Sequence, residues 1–194
     1  MILLTWSTLG ACAGHQASWS MAESKQSVDN DQIGVEWPKS WMIFTPAEAD
    51  EKAKEEGLLV MVTRDGTDLQ AMILKKRPTA QGFANTKKRA SPGIPPQDLA
   101  EIVLDDIRSN PLFIDPQLIE TSPSTLGGVP GFKLSIRYRN KAGLPKQAVY
   151  YGCLKNDFLY MLIFAAPQRF YYPSNLPTFE VVKNSFRWKM REGT

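Results

Sequence analysis

Apolar and polar positions change their spacing several times along this chain, and each change predicts a different element. Leu58 to Arg64 and Leu69 to Lys75 are apolar runs on either side of Asp65-Gly66. That dipeptide suits the positive-φ positions of a tight turn, so the pair predicts a β-hairpin. Pro78 to Pro96 has no sustained apolar period and holds Pro92, Pro95 and Pro96 besides Pro78, which predicts a long loop. From Gln97 to Asn110, Leu99, Ile102, Val103 and Ile107 recur at helical spacing, entered through Pro95-Pro96 and closed by Asn110-Pro111. Phe132, Leu134, Ile136 and Tyr138 then alternate with Lys133, Ser135, Arg137 and Arg139, the period of a strand with one wet face. Gln147 to Leu154 and Phe158 to Ala165 extend the sheet, making three or four strands in all. A final helix is predicted to start at Pro177, with Phe179, Val182 and Phe186 laid on that sheet.

Two weaker patterns precede the hairpin. Thr45-Pro46-Ala47-Glu48 reads as a capping box with Pro at the first helical position, and Gly57 as the stop of a short, solvent-facing helix. Glu48 with Lys52 and Asp50 with Lys54 stand four apart on it. Ala13 to Pro38 is rich in Ser, Gln, Asp and Asn without a period, which predicts a flexible tether. Helices and strands mix without a βαβ repeat, so the predicted class is α+β with a mostly antiparallel sheet and helices packed against it.

The first 22 residues carry no charged side chain, and the apolar run from Met1 to Ala11 is too short for a bilayer, which takes about 20 apolar residues. Leu9-Gly10-Ala11-Cys12 resembles the lipobox of bacterial lipoproteins. The resemblance implies cleavage before Cys12 and acylation of its thiol, giving a lipid-anchored protein of the cell envelope that faces the periplasm. Ala13 after the lipid site resembles an outer-membrane signal. No Lys or Arg precedes the apolar run, a departure from the usual positive start of a signal segment. The expected layout is a signal segment at 1–11, a tether at 12–38 and one α+β domain at 39–190.

Composition narrows the class. With 194 residues, 43% of them hydrophobic, the chain has enough apolar material for one core. A net charge of +3 is too small to imply nucleic acid, and export argues against it further. Cys12 and Cys153 are the two cysteines, and no structural disulfide is expected.

Trp41-x-Ile43, Gly127-Gly128-Val129-Pro130-Gly131-Phe132 and Phe179 to Ser185-Phe186 follow the order of hairpin, loop, helix, Gly-Gly turn, meander and closing aromatic helix. Over residues 40 to 188 this resembles the fold shared by the photosystem II extrinsic protein PsbP and a nuclear Ran-binding protein. Lys87-Lys88-Arg89-Ala90-Ser91-Pro92-Gly93 also resembles a group of proteobacterial lipoproteins. The resemblance implies a non-enzymatic binding or assembly module and names no partner.

Sites for chemistry are sparse. His15, the single histidine, lies in the N-terminal stretch, so a Ser-His-Asp or Cys-His arrangement has no base within the domain. Zinc lacks ligands, and no cofactor is expected. Asp29 to Gly34 begins like a calcium loop, but Ile33 and Ser40 stand where oxygen ligands are required. Gly127-Gly128-x-x-Gly131 is followed by a strand and reads as a turn, not a phosphate loop. Asp105-Asp106 and Asp65 with Asp68 are the carboxylate pairs open to a hydrolase, Asp105 and Asp106 pointing apart on a helix. Cys153 reads as a small core residue, and Phe170-Tyr171-Tyr172-Pro173 as a cover for the sheet end or a stacking surface. One local feature is marked. Lys75 to Pro92 holds Lys75, Lys76, Arg77, Lys87, Lys88 and Arg89 and no acidic residue. It reads either as a solvated loop or as a contact for an anionic surface, such as lipid head groups, cell-wall polymer or an acidic partner protein, with lipid head groups fitting a tethered domain best. The functional expectation is a membrane-tethered, non-enzymatic envelope module. A carrier of a small apolar ligand is the alternative, and a carboxylate hydrolase is third.

Overall fold

A computed structural model describes residues 18–23, 25–28, 32–47 and 50–189. The chain opens with strands β1 (Ser18–Met21), β2 (Gln26–Val28), β3 (Ile33–Val35) and β4 (Met42–Thr45), then helix α1 (Glu51–Glu56) and strands β5 (Leu58–Thr63) and β6 (Ala71–Pro78). Helix α2 (Pro96–Arg108) leads into a meander of β7 (Ile114–Leu126), β8 (Val129–Arg139), β9 (Pro145–Lys155) and β10 (Phe158–Pro167). Helix α3 (Tyr171–Ser185) and the short β11 (Arg187–Trp188) close the chain. The larger sheet has the order β1-β4-β5-β6-β10-β9-β8-β7, and the smaller one β11-β3-β2. Every pairing is antiparallel, so the class is α+β as the alternation predicts.

The large sheet buries both faces. Phe132, Leu134 and Ile136 of β8 meet Leu99, Val103 and Ile107 of α2 on one side. On the other, Tyr151, Cys153, Tyr160, Leu162 and Phe164 meet Phe179, Val182 and Phe186. Because β9 and β10 are covered on both faces, their residues are almost continuously buried and lack a clean period of two.

The structure corrects the sequence reading in four places. Residues 18–38, expected within the tether, contribute three strands and the buried side chains of Ile33, Val35 and Trp37. Strands of three and four residues are too short for alternation to show among Ser and Gln. Ahead of β8 the meander has a long edge strand, β7, whose mostly exposed residues hide it from an apolar reading. Helix α3 begins at Tyr171, with Pro177 inside it, so the aromatic run forms its first turn. Tyr172 stacks on Phe164 at 5.4 Å, and burial of both rings sets the start of the helix more strongly than the proline does. Helix α1 is capped by Asp50, whose Oδ1 accepts the Ala53 N–H at 3.0 Å, and not by Thr45. Glu48 lies outside the described residues. Gly57 ends α1 as expected, at φ 67°, where a Cβ would lie 2.2 Å from the Lys76 carbonyl oxygen.

Candidate functional site

Strand alternation divides the basic segment. Lys75 and Arg77 leave β6 on the α2 side together with Ile73, whereas Lys76 follows Met72 and Leu74 onto the α3 side. The Lys75 ammonium is 3.9 Å from Glu56; burial lowers its pKa, and Glu56 opposes the shift. The Arg77 guanidinium lies 5.0 Å from the Phe83 ring centre and donates to the carbonyls of Gln81 and Gly82. Burial lowers its pKa as well, opposed by Asp106.

The long loop is stitched to α2. Asp106 accepts from the Asn85 N–H at 2.8 Å, from its Nδ2 at 3.0 Å and from the Thr86 N–H at 3.0 Å. Lys88 donates to Asp105 at 2.6 Å, and the Lys87 ammonium to the Ala84 carbonyl at 2.7 Å. Phe83 and Ala90 are buried in the α2-side core. Asp105 and Asp106 thus act separately, one holding Lys88 and the other ordering the backbone of the loop. Lys87 and Arg89 remain exposed. The six cations do not form one surface. Cys12 and His15 lie outside the described residues.

A second basic cluster, dispersed in the sequence, is assembled by the sheets. A cavity of about 420 Å³, open to solvent, is lined by Gln32, Lys76, Lys155, Asn156, Phe158, Tyr160, Trp188 and Lys189. The register makes it. Lys76 stands opposite Tyr160 across β6 and β10, and Lys155 opposite Phe158 across β9 and β10. Asn156 and Asp157, at φ 49° and 62°, form the two-residue turn between those last strands. The smaller sheet supplies the far wall through Trp188 of β11, whose ring meets Tyr160 edge-on at 4.8 Å. Trp188 donates its indole N–H to the Leu126 carbonyl at 3.3 Å, and Gly127 makes room for it. A Cβ on Gly127 would come within 2.8 Å of the indole nitrogen.

The lysines lie against aromatic faces. Lys76 is 4.3 Å from the Phe158 ring centre, and Lys155 is 4.8 Å from that of Trp188. Lys189 donates to the Ser27 hydroxyl. Sequence reading finds only Lys76 of this group. The one local hint is Lys155 and Phe158 bracketing a tight Asn-Asp turn; the approach of Trp188 and Lys189 depends on β11 pairing with β3.

Cys153 is fully buried, and burial pushes its thiol up to about 12 from an ordinary 9.0. The raised value means that the protonated thiol supports folding below about pH 9, and that this contribution is lost as pH rises towards 12. At pH 8 iodoacetamide is expected to alkylate Cys153 at least roughly a hundredfold more slowly in the native protein than in denaturant. Equal rates would show an accessible, reactive thiol. Tyr151 donates to Glu180 at 2.8 Å, and burial followed by this carboxylate raises the phenol pKa.

Together these features define an α+β protein of the PsbP-like fold. The structure is similar to cyanobacterial PsbP (CyanoP) from Synechocystis sp. PCC 6803, with a TM-score of 0.57, 13% identity, and coverage of 94% of this chain and 98% of that one. It is also similar to LpqN of Mycobacterium tuberculosis, with a TM-score of 0.53, 15% identity, and coverage of 91% and 93%. The Saccharomyces cerevisiae Ran-binding protein Mog1p is a looser likeness, at a TM-score of 0.45, 11% identity, and coverage of 87% and 96%. No family model and no curated protein matches the sequence.

Proposed function

We propose that this chain is a non-enzymatic binding and assembly module of the bacterial cell envelope, held to a membrane by a lipid on Cys12. The observation that carries the reading is the filled space between the sheet and α3. Phe179 of α3 is fully buried and stacks on Phe164 at 5.4 Å, which leaves an apolar ligand no chamber between that helix and the sheet. Chemistry offered to a partner therefore lies at the surface. The PsbP-like fold is compatible with this role, and LpqN, which shares the fold, is described as involved in cell envelope biogenesis.

The integration of residues 18–38 into the fold alters the picture of the tether. Six residue steps separate Cys12 from Ser18, so a lipid on Cys12 would keep β1 within about 20 Å of the bilayer. Exposed Lys87 and Arg89 are the part of the basic loop offered to anionic head groups, each adding a favourable increment.

Two measurements test the proposal. Changing Cys12→Ser should move the protein from the membrane fraction to the soluble fraction, since one acyl chain binds marginally and lipoprotein processing supplies at least two. Unchanged retention would refute the anchor. The Cys12→Ser protein should bind anionic but not neutral vesicles, with a salt-sensitive affinity that Lys87→Ser with Arg89→Ser lowers roughly tenfold. Equal binding by both proteins would remove the loop from the contact.

A further inference from the structure

At the end of the sheet away from the Trp188 hollow, an apolar cleft holds a buried cation. Leu69 ahead of β6, Leu112 and Phe113 after α2, Tyr138 at the end of β8 and Leu144 before β9 form its walls. Lys146 of β9 lines it too, standing opposite Tyr138 across the ladder. Alternation puts Lys146 on the same sheet face as the buried Ala148 and Tyr150, which pack on the α2 side. Lys146 is exposed by only 8%, and its ammonium donates to the Asp68 carbonyl at 3.0 Å. An ammonium has three N–H donors, so two have no acceptor among the described residues, and no ion pair forms there. We propose that this cleft binds a small monocarboxylic acid with an apolar body, the carboxylate resting on Lys146 and the body on the leucines and rings.

Charge selects the ligand. Lys141 and Lys146 against Asp68 leave the described lining with one net positive charge, which a single carboxylate neutralises and a dianion would reverse. A buried ammonium without a counter-charge is costly, and a carboxylate that accepts its free N–H groups removes that cost. Burial lowers the Lys146 pKa, and Asp68 opposes the shift. Burial also raises the Tyr138 phenol to about 12, so it stays protonated at neutral pH and is a second donor to the same carboxylate. The walls are ordered before a ligand arrives, which limits the freedom lost on binding. Asn140 Oδ1 accepts the Leu144 N–H at 2.9 Å, Asn110 Oδ1 accepts the Leu112 N–H at 2.9 Å, and the Phe113 ring packs on Tyr138 at 4.5 Å. Leu112 and Leu144 nevertheless stay 53% and 39% exposed, apolar surface that a ligand body would cover. A volume of about 620 Å³ lies within the usual range for small-ligand sites, about 300–1,000 Å³. The cleft is separate from the filled space beneath α3, and it depends on neither the lipid anchor nor the basic loop.

The test uses the full chain carrying Cys12→Ser and three probes: phenylpropionate, phenylpropanol and phenylpropylamine. Binding is followed by calorimetry and by the NMR shifts of the Leu112 and Leu144 methyl groups. The acid should bind saturably, and the alcohol and the amine roughly tenfold more weakly, because each lacks the charge-assisted bonds to Lys146. Lys146→Met keeps the apolar stem of the side chain; it should weaken the acid roughly tenfold and leave the alcohol and the thermal melt in place. A second variant, Leu112→Ser with Leu144→Ser, alters exposed positions alone and should weaken acid and alcohol alike. Lys155→Gln, at the opposite end of the sheet, should change nothing. Absence of saturable binding by the acid, equal binding of acid and alcohol, or unaltered affinity for the acid in either cleft variant overturns the proposal. So does a peptide ending in a free Phe carboxylate that binds more tightly than phenylpropionate, which would assign the cleft to a polypeptide terminus instead. Because the anchor is tested by fractionation and the loop by its own variant, failure here leaves those results independent.

Discussion

A chain shortened to begin at Lys39 is expected not to fold. Treated as a tether, residues 13–38 would be dispensable, yet Ile33, Val35 and Trp37 are exposed by 2% or less. Each fully buried apolar side chain contributes roughly 1.5–3 kcal/mol, so the three together are worth about 5–9 kcal/mol. A domain of this size is stable by only about 5–15 kcal/mol, so the loss takes at least about a third of it and up to all of it. Polar ties go as well. The Glu36 N–H donates to the Ser185 hydroxyl at 2.9 Å, and Arg187 pairs with Glu36 at 3.1 Å, which clips this segment to the end of α3 and to β11. Removing β3 also leaves β11 without its partner, and with it the Trp188 wall of the hollow. Circular dichroism and a thermal melt should show no cooperative transition. A melt matching that of the full chain would mean that these strands are ornamental, and would restore a long tether.

Phe179→Ala should destabilise the protein by about 3–5 kcal/mol, the range for deleting a large ring from a packed core. Phe179 is fully buried, stacked on Phe164 at 5.4 Å and 6.0 Å from Tyr151, so the space it leaves is lined by rigid rings that cannot collapse into it. The denaturant midpoint should fall at unchanged slope. The same variant distinguishes a contact module from a carrier. Benzene should raise the melting temperature of Phe179→Ala by occupying the new cavity and should leave the parent protein unmoved, because a dry apolar cavity accepts such ligands and a filled core does not. If benzene stabilised the parent equally, the space between sheet and helix would already be a ligand chamber, and the carrier reading would replace the one given above.

Local chemistry was enough for the elements whose signal is local. The β5–β6 pair, the apolar face of α2 around Leu99, Val103 and Ile107, the alternation of β8 and the stop at Gly57 are all produced by residues within a few positions of each other, although residues 64–70 and not a tight turn at Asp65-Gly66 join the two strands. Their agreement on an antiparallel α+β sheet, and the placement of the Gly127-Gly128 turn, needed no knowledge of the rest of the chain.

Where the reading failed, distant residues decide the outcome. Ile33 and Val35 are strands because α3 and β11 arrive to cover them more than 130 positions later, and β7 is a strand because β8 offers it a ladder, not because its own side chains are apolar. The charged segment shows the same division. Composition alone counts six cations between Lys75 and Arg89, but a period of two sends Lys76 to the opposite face from Lys75 and Arg77, and Asp105 on α2 claims Lys88. The hollow is the converse case. Lys76, Lys155 and Lys189 are scattered across more than a hundred positions and carry no mutual signal, and only the pairing of β6, β9 and β10 beside β11 makes them neighbours, since strand register is fixed by burial over the whole sheet.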